Sequence, residues 1–148
     1  MSQRAGPFWD AMEGRAPLPR AAATLGMELI DADVENGTIE LAFTAREEWT
    51  NPTGNVLGAF VAAMLYDTVG PALLATLEPD QFQSTSEITV HFLRPLRPGW
   101  VVGRGRILRR NGDLAFLEAS LIDADEATIA TATATARVIP LDEARAAV

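Results

Sequence analysis

Between residues 56 and 77 the chain reads VLGAFVAAMLYDTVGPALLATL, apolar on nearly every side and carrying a single charge, Asp67. At helical spacing such a segment has no polar face to turn towards water, so other elements must surround it. A bilayer cannot do so. The longest apolar run, Val56 to Tyr66, is about half of the ~20 residues a membrane span requires, and Asp67 and the Gly70–Pro71 pair break the apolar pattern beyond it. Asn55 is placed to cap the N-terminus of this helix. Pro71 lacks an N–H and is expected to kink the helix or divide it, and Glu78-Pro79-Asp80 to end it.

The segments on either side have the pattern of strands. Across GMELIDADVENGTIELAFTA (26–45), Asn36–Gly37 is a hairpin signal, and Ile39, Leu41 and Phe43 alternate with Thr38, Glu40 and Ala42. Residues 47–55, EEWTNPTGN, are turn chemistry. Strands are expected over 82–94, 99–110, 114–123 and 127–139, with turns at Asn111–Gly112 and Asp123–Glu126. In the last strand Thr131, Thr133 and Thr135 share one face, and Ala130, Ala132, Ala134 and Ala136 the other. That small face would admit a helix closely. Residues 7–24, with Phe8, Trp9 and Met12 broken by Pro17 and Pro19, read as one or two short helices. The fold class is α+β, an antiparallel sheet wrapped around one long central helix. A single domain is expected, with an N-terminal helical extension (1–24), a core (25–139) and a C-terminal tail (140–148). One face of the sheet is left open, and a second subunit is a natural cover.

The composition narrows the chemistry. A chain of 148 residues is about one domain long. It has no Cys and no Lys, so all 12 cations are Arg, and it has one His. Thiolate nucleophiles, thiolate zinc sites, Schiff bases and the phosphate-gripping lysine of a P-loop are excluded, and one His cannot build a multi-histidine metal site. No metal and no cofactor is expected. Twenty acids against twelve bases give a net charge of −8, the opposite of a nucleic-acid footprint. The first residues lack the apolar core of a secretory signal, and a cytoplasmic, membrane-free protein is the expectation.

Asn51, Gly54, Gly58, an acidic residue two-thirds along the helix, and the downstream FLRP with Gly99 resemble the hotdog-fold thioesterases. The resemblance covers roughly residues 25–139 and points to the phenylacetic-acid-degradation and 4-hydroxybenzoyl-CoA thioesterase group. That family's pattern is Asn-x-x-Gly-x-x-His-Gly-Gly followed by a helix bearing Asp or Glu. Here Leu57 stands at the His, Ala59 at the second Gly and Tyr66 at the carboxylate, with Asp67 one residue later. One residue turns an ideal helix by about 100°, so Asp67 does not simply replace a side chain at 66.

The resemblance implies hydrolysis of a small or medium acyl-CoA, a homodimer or homotetramer, and an active site at the subunit interface. The first-turn N–H of Gly58 would face the thioester oxygen. Asp67 would act on water as a base or on the thioester as a nucleophile. Asn51 would orient water or carbonyl, Thr85 would help to hold the water, and Tyr66 would line the site. Arg94, Arg97, Arg104, Arg106, Arg109 and Arg110 put half of the cations into seventeen residues. Arg104 and Arg106 share a strand face and could grip coenzyme A phosphates, or serve only as solvated edge charges. His91 lies in a strand with no Gly-x-Ser-x-Gly elbow to serve and reads as structural. Two other functions fit the residues: an acyl-CoA or apolar-ligand binding protein without hydrolysis, and a hotdog enzyme using Tyr66 and Asp67 for other chemistry.

Overall fold

The computed structural model describes residues 4–146. The outermost positions of the expected extension (1–3) and tail (147–148) lie outside the described residues. Two short helices, α1 (Pro7–Met12) and α2 (Arg20–Thr24), precede a hairpin of β1 (Glu28–Asp33) and β2 (Thr38–Ala45). A 3-10 turn at Glu47–Trp49 leads to α3 (Gly58–Leu74). Four long strands come next, β3 (Gln81–Phe92), β4 (Gly99–Asn111), β5 (Leu114–Ile122) and β6 (Thr128–Pro140), and then α4 (Leu141–Ala146). The strands make one antiparallel sheet in the order β1-β2-β4-β5-β6-β3. Its inner face packs on α3, which contacts β2 through β6.

The turn signals hold. Gly37 and Gly112 sit at φ 66° and 61° in the two hairpins, and Glu126 closes the third turn at φ 64°. The inner faces are the alternating sets: Ile39, Leu41 and Phe43 on β2, Ala115, Leu117, Ala119 and Leu121 on β5, and the Ala row on β6 are all buried. The helix also comes very close to β4. A Cβ on Gly103 would overlap the Thr68 hydroxyl, and one on Gly105 would come within 3.0 Å of the Thr68 carbonyl oxygen. Two glycines on alternate positions thus form the floor on which the middle of α3 rests.

One local expectation is corrected and another is narrowed. Asn55 does not cap α3; Leu57 occupies the N-cap position, with no side-chain cap. The Asn55 amide nitrogen instead donates to Thr53 Oγ1 at 3.1 Å, inside the preceding loop. Pro71 does not divide the helix, which runs on to Leu74. Its ring removes a donor for the Asp67 carbonyl, but Val69, Pro71, Ala72 and Leu73 are all buried, and their packing keeps the helix whole.

Candidate active site

The N-terminus of α3 is strapped from two sides. The Leu57 N–H donates to the Trp49 carbonyl at 2.8 Å, and the Val56 N–H to the Leu96 carbonyl at 2.8 Å. The Trp49 and Phe60 rings stack at 4.8 Å. The N–H groups of Gly58 and Ala59 therefore sit at a fixed helix start without an intrahelical acceptor. Asn51 closes the neighbouring loop. Its Oδ1 accepts from the Thr53 N–H at 3.0 Å, the Thr53 hydroxyl at 2.6 Å and the Asn55 N–H at 3.2 Å. The carboxamide oxygen is thereby fully used, and what Asn51 has left to offer a ligand is its Nδ2 donor. Asn51 and Gly58 line one cleft of about 400 Å³, together with Phe92 and Arg94.

Asp67 lines a different cleft, of about 380 Å³, with Tyr66 and Thr85. Gly58 and Asp67 are nine residues apart, so an ideal helix places them about 13 Å apart along its axis and on opposite sides. One protomer therefore brings Tyr66, Asp67 and Thr85 together, and Asn51 with Gly58, but keeps the two groups apart. Burial raises the Asp67 carboxyl from 3.8 to about 6. Neither an arginine nor a hydrogen-bond donor offsets that desolvation among the described residues. Tyr66 is 46% exposed, beside Asp67 rather than beneath it.

Thr85 reaches this cleft because β3 bulges. The register with β6 shifts between Thr85 and Glu87, so Gln83, Thr85, Ile88 and Val90 all fall on the inner face. The Thr85 hydroxyl donates to Gln83 Oε1 at 3.0 Å, leaving its own lone pairs for a donor in the cleft. Gln83 was not singled out by its sequence. It is 9% exposed and its Nε2 lies 2.9 Å from where a Cβ of residue 70 would sit. The signal was a polar side chain on the inward parity of a strand whose register the bulge obscures.

Arg104 and Arg106 are on the outer face of the sheet, away from α3. The Arg104 Nε donates to Glu40 at 2.9 Å, and Arg106 pairs with Glu118 across the β4–β5 ladder. Neither reaches the Asp67 or the Gly58 cleft. His91 is also on the outer face, opposite Thr131. Among the described residues no group of three His, Asp or Glu side chains is gathered as for a metal ion.

A long helix packed across the inner face of a six-stranded antiparallel sheet is the architecture of the hotdog fold. The chain belongs to the family described as the acyl-CoA thioesterase N-terminal domain, whose model matches residues 45–137. A phenylacetic acid degradation-related protein from Ralstonia eutropha is 36% identical in a superposition with TM-score 0.85, covering 88% of this chain and 98% of that one. The PaaI protein of the Escherichia coli phenylacetic acid degradation operon shares the fold at TM-score 0.78 with 16% identity, over 89% of this chain and 93% of that one. In sequence, a Saccharolobus solfataricus protein named for an inferred esterase activity is 27% identical over 101 residues, 68% of this chain and 70% of the relative.

Proposed function

We propose that this protein hydrolyses small or medium acyl-CoA thioesters, with Asp67 as the reacting carboxylate. The observation that carries the reading is a carboxylate without a partner among the described residues, pushed up to about 6 by burial, in an apolar cleft that it lines together with Thr85. Such a group takes a proton from water near neutral pH. Water held between Asp67 and Thr85 loses that proton to Asp67 and attacks the thioester carbon. The carbonyl oxygen gains the charge, and collapse expels the thiolate of coenzyme A, which recovers a proton. In the covalent variant Asp67 attacks directly, and water then hydrolyses the mixed anhydride.

The developing oxyanion needs a donor, and the Gly58 N–H is too far from Asp67 in its own protomer. The opposite placement of the two residues on α3 therefore supports a homodimer or homotetramer in which Asp67 of one copy meets Gly58 and Asn51 of another. Arg94 lies in the Gly58 cleft and suits the phosphates of coenzyme A better than the Arg104 and Arg106 pairs on the outer face. No helix among the described residues is long and apolar enough to cross a membrane, and a cytoplasmic acyl-CoA pool is the proposed source of substrate.

Thiol release from an acyl-CoA panel tests the reading. Asp67→Asn should lower kcat by at least about 100-fold, and Tyr66→Phe should alter it less. Hydrolysis unchanged in both variants would overturn the mechanism. A second reading has an observation of its own. Leu57 and Tyr66 stand where the family pattern has His and a carboxylate, which suits a protein that binds acyl-CoA without cleaving it. Thermal stabilisation by acyl-CoA without thiol release selects that reading.

A further inference from the structure

We infer that α1 is the acyl-selecting wall of the Asp67 cleft, with Phe8, Ala11 and Met12 setting the length of acyl group it receives. The inference rests on the reading that the acyl group lies in that cleft.

The two sides of the cleft differ in chemistry and in position along the chain. One side comes from α3 and β3 and carries the polar groups, Asp67, Gln83 and Thr85 among them. The facing side comes from the N-terminal segment and is apolar throughout, with Phe8, Ala11 and Met12 on α1 and Met27 at the foot of β1. The family model begins at residue 45, so the reacting side lies within the shared region and the apolar side lies wholly ahead of it.

On the shared side α3 and β3 pack closely: a methyl on Gly70 would stand 2.9 Å from Gln83 Nε2, so a larger residue at 70 would displace the Gln83 carboxamide from the cleft. The α1 side carries no such polar group, and its side chains can differ in size without disturbing the reacting groups. That side is held in place. The Trp9 indole N–H donates to the Ala75 carbonyl at 3.0 Å, satisfying one of the carbonyls left over at the end of α3. The Phe8 ring meets Trp9 edge-on at 5.2 Å, and the Arg4 guanidinium lies 5.5 Å over the Trp9 ring. Arg15 bridges Asp10 at 3.0 Å and Glu13 at 2.9 Å, tying the end of α1 to the turn beyond it. Phe8 and Met12 are thus presented to the cleft by a docked helix.

The probe is a series of S-alkyl-CoA thioethers from butyl to lauryl, which cannot be hydrolysed, with Kd measured calorimetrically on the full chain. Phe8→Ala and Met12→Ala should raise affinity for the long thioethers relative to the short ones by about tenfold or more, the scale at which an apolar pocket reads methylenes. Ala11→Leu should shift the ratio the other way. Opposite shifts cannot arise from variants that merely fold less well. If the long-to-short Kd ratio is the same in all three variants as in the wild type, the inference is overturned. Absence of thiol release from true thioesters, with the Kd ratios shifted as stated, overturns hydrolysis and leaves α1 as the selecting wall. Thiol release with unshifted ratios does the reverse.

Discussion

Thr68 of α3 lies against Gly103 of β4 so closely that a Cβ at residue 103 would collide with its hydroxyl and come within 3.2 Å of its Cγ2. The Thr68 hydroxyl is not free to turn away, because it donates to the Met64 carbonyl at 2.7 Å. Thr68 is the next residue after Asp67, so this contact also sets the depth at which the carboxylate is held. Gly103→Ala should therefore cost about 1–3 kcal/mol, the usual penalty of overpacking. Thr68→Ala should recover part of it, with a coupling of about 1 kcal/mol in a double-mutant cycle. Urea unfolding of the four proteins checks both values, and additive losses would mean that the helix moves off the sheet instead.

The Asp67 carboxyl gives two pH dependences of opposite sense. For hydrolysis, kcat/KM should rise as pH increases through about 6, where the carboxylate forms in the folded protein. For stability the sign is reversed. The folded state holds the proton more tightly than the unfolded one, so the contribution of Asp67 is fully present below about 3.8 and is lost as pH rises through about 6. Asp67→Asn should then be more stable than the wild type at pH 7, by on the order of 3 kcal/mol for this displacement, and equal to it in acid. Thermal melts of the pair at both pH values measure this.

Gly58→Ala separates activity from folding. Alanine favours a helix by up to about 1 kcal/mol over glycine. Its Cβ would meet the Phe92 ring at 3.3 Å, and that ring is 58% exposed and free to give way. Stability should change by less than about 1 kcal/mol. Thiol release should nonetheless fall, because the methyl occupies the space through which a thioester oxygen approaches the N–H. Equal activity in this variant would remove Gly58 from the mechanism.

Trp9→Phe should retain the apolar packing of α1 and lose only the bond to the Ala75 carbonyl. The expected loss is about 1 kcal/mol, read as a lowered Tm. Discrimination between long and short thioethers should weaken with it, since the wall that sets the length is then less firmly docked.

The main architecture was legible because it rests on local signals. The all-apolar run from 56 to 77 demanded wrapping, the Asn-Gly turns set the hairpins, and the alternation of Ala and Thr on β6 announced which face would be buried. What escaped the sequence was tertiary. Asn55 has the right type for a cap, but its side chain is taken by Thr53. Gly103 and Gly105 look like ordinary strand glycines until α3 is laid across them. Asp67 and Thr85 were singled out, and they share a cleft. Their polar neighbour Gln83 needed the bulge after Thr85 to be known. Arg104 and Arg106 were correctly read as sharing a face, but one-dimensional alternation could not say that Glu40 and Glu118 stand opposite them.

The outermost position of β3 in the sheet has a physical consequence for handling the protein. Twelve residues, QFQSTSEITVHF, run along that border without a proline, and among the described residues their flank away from β6 is paired with no other strand. A border of this length, interrupted only by the bulge after Thr85, is a template for further pairing. Variants that break an association made there should not yield a well-behaved monomer. They should turn cloudy on concentration, as the same amides recruit less specific partners.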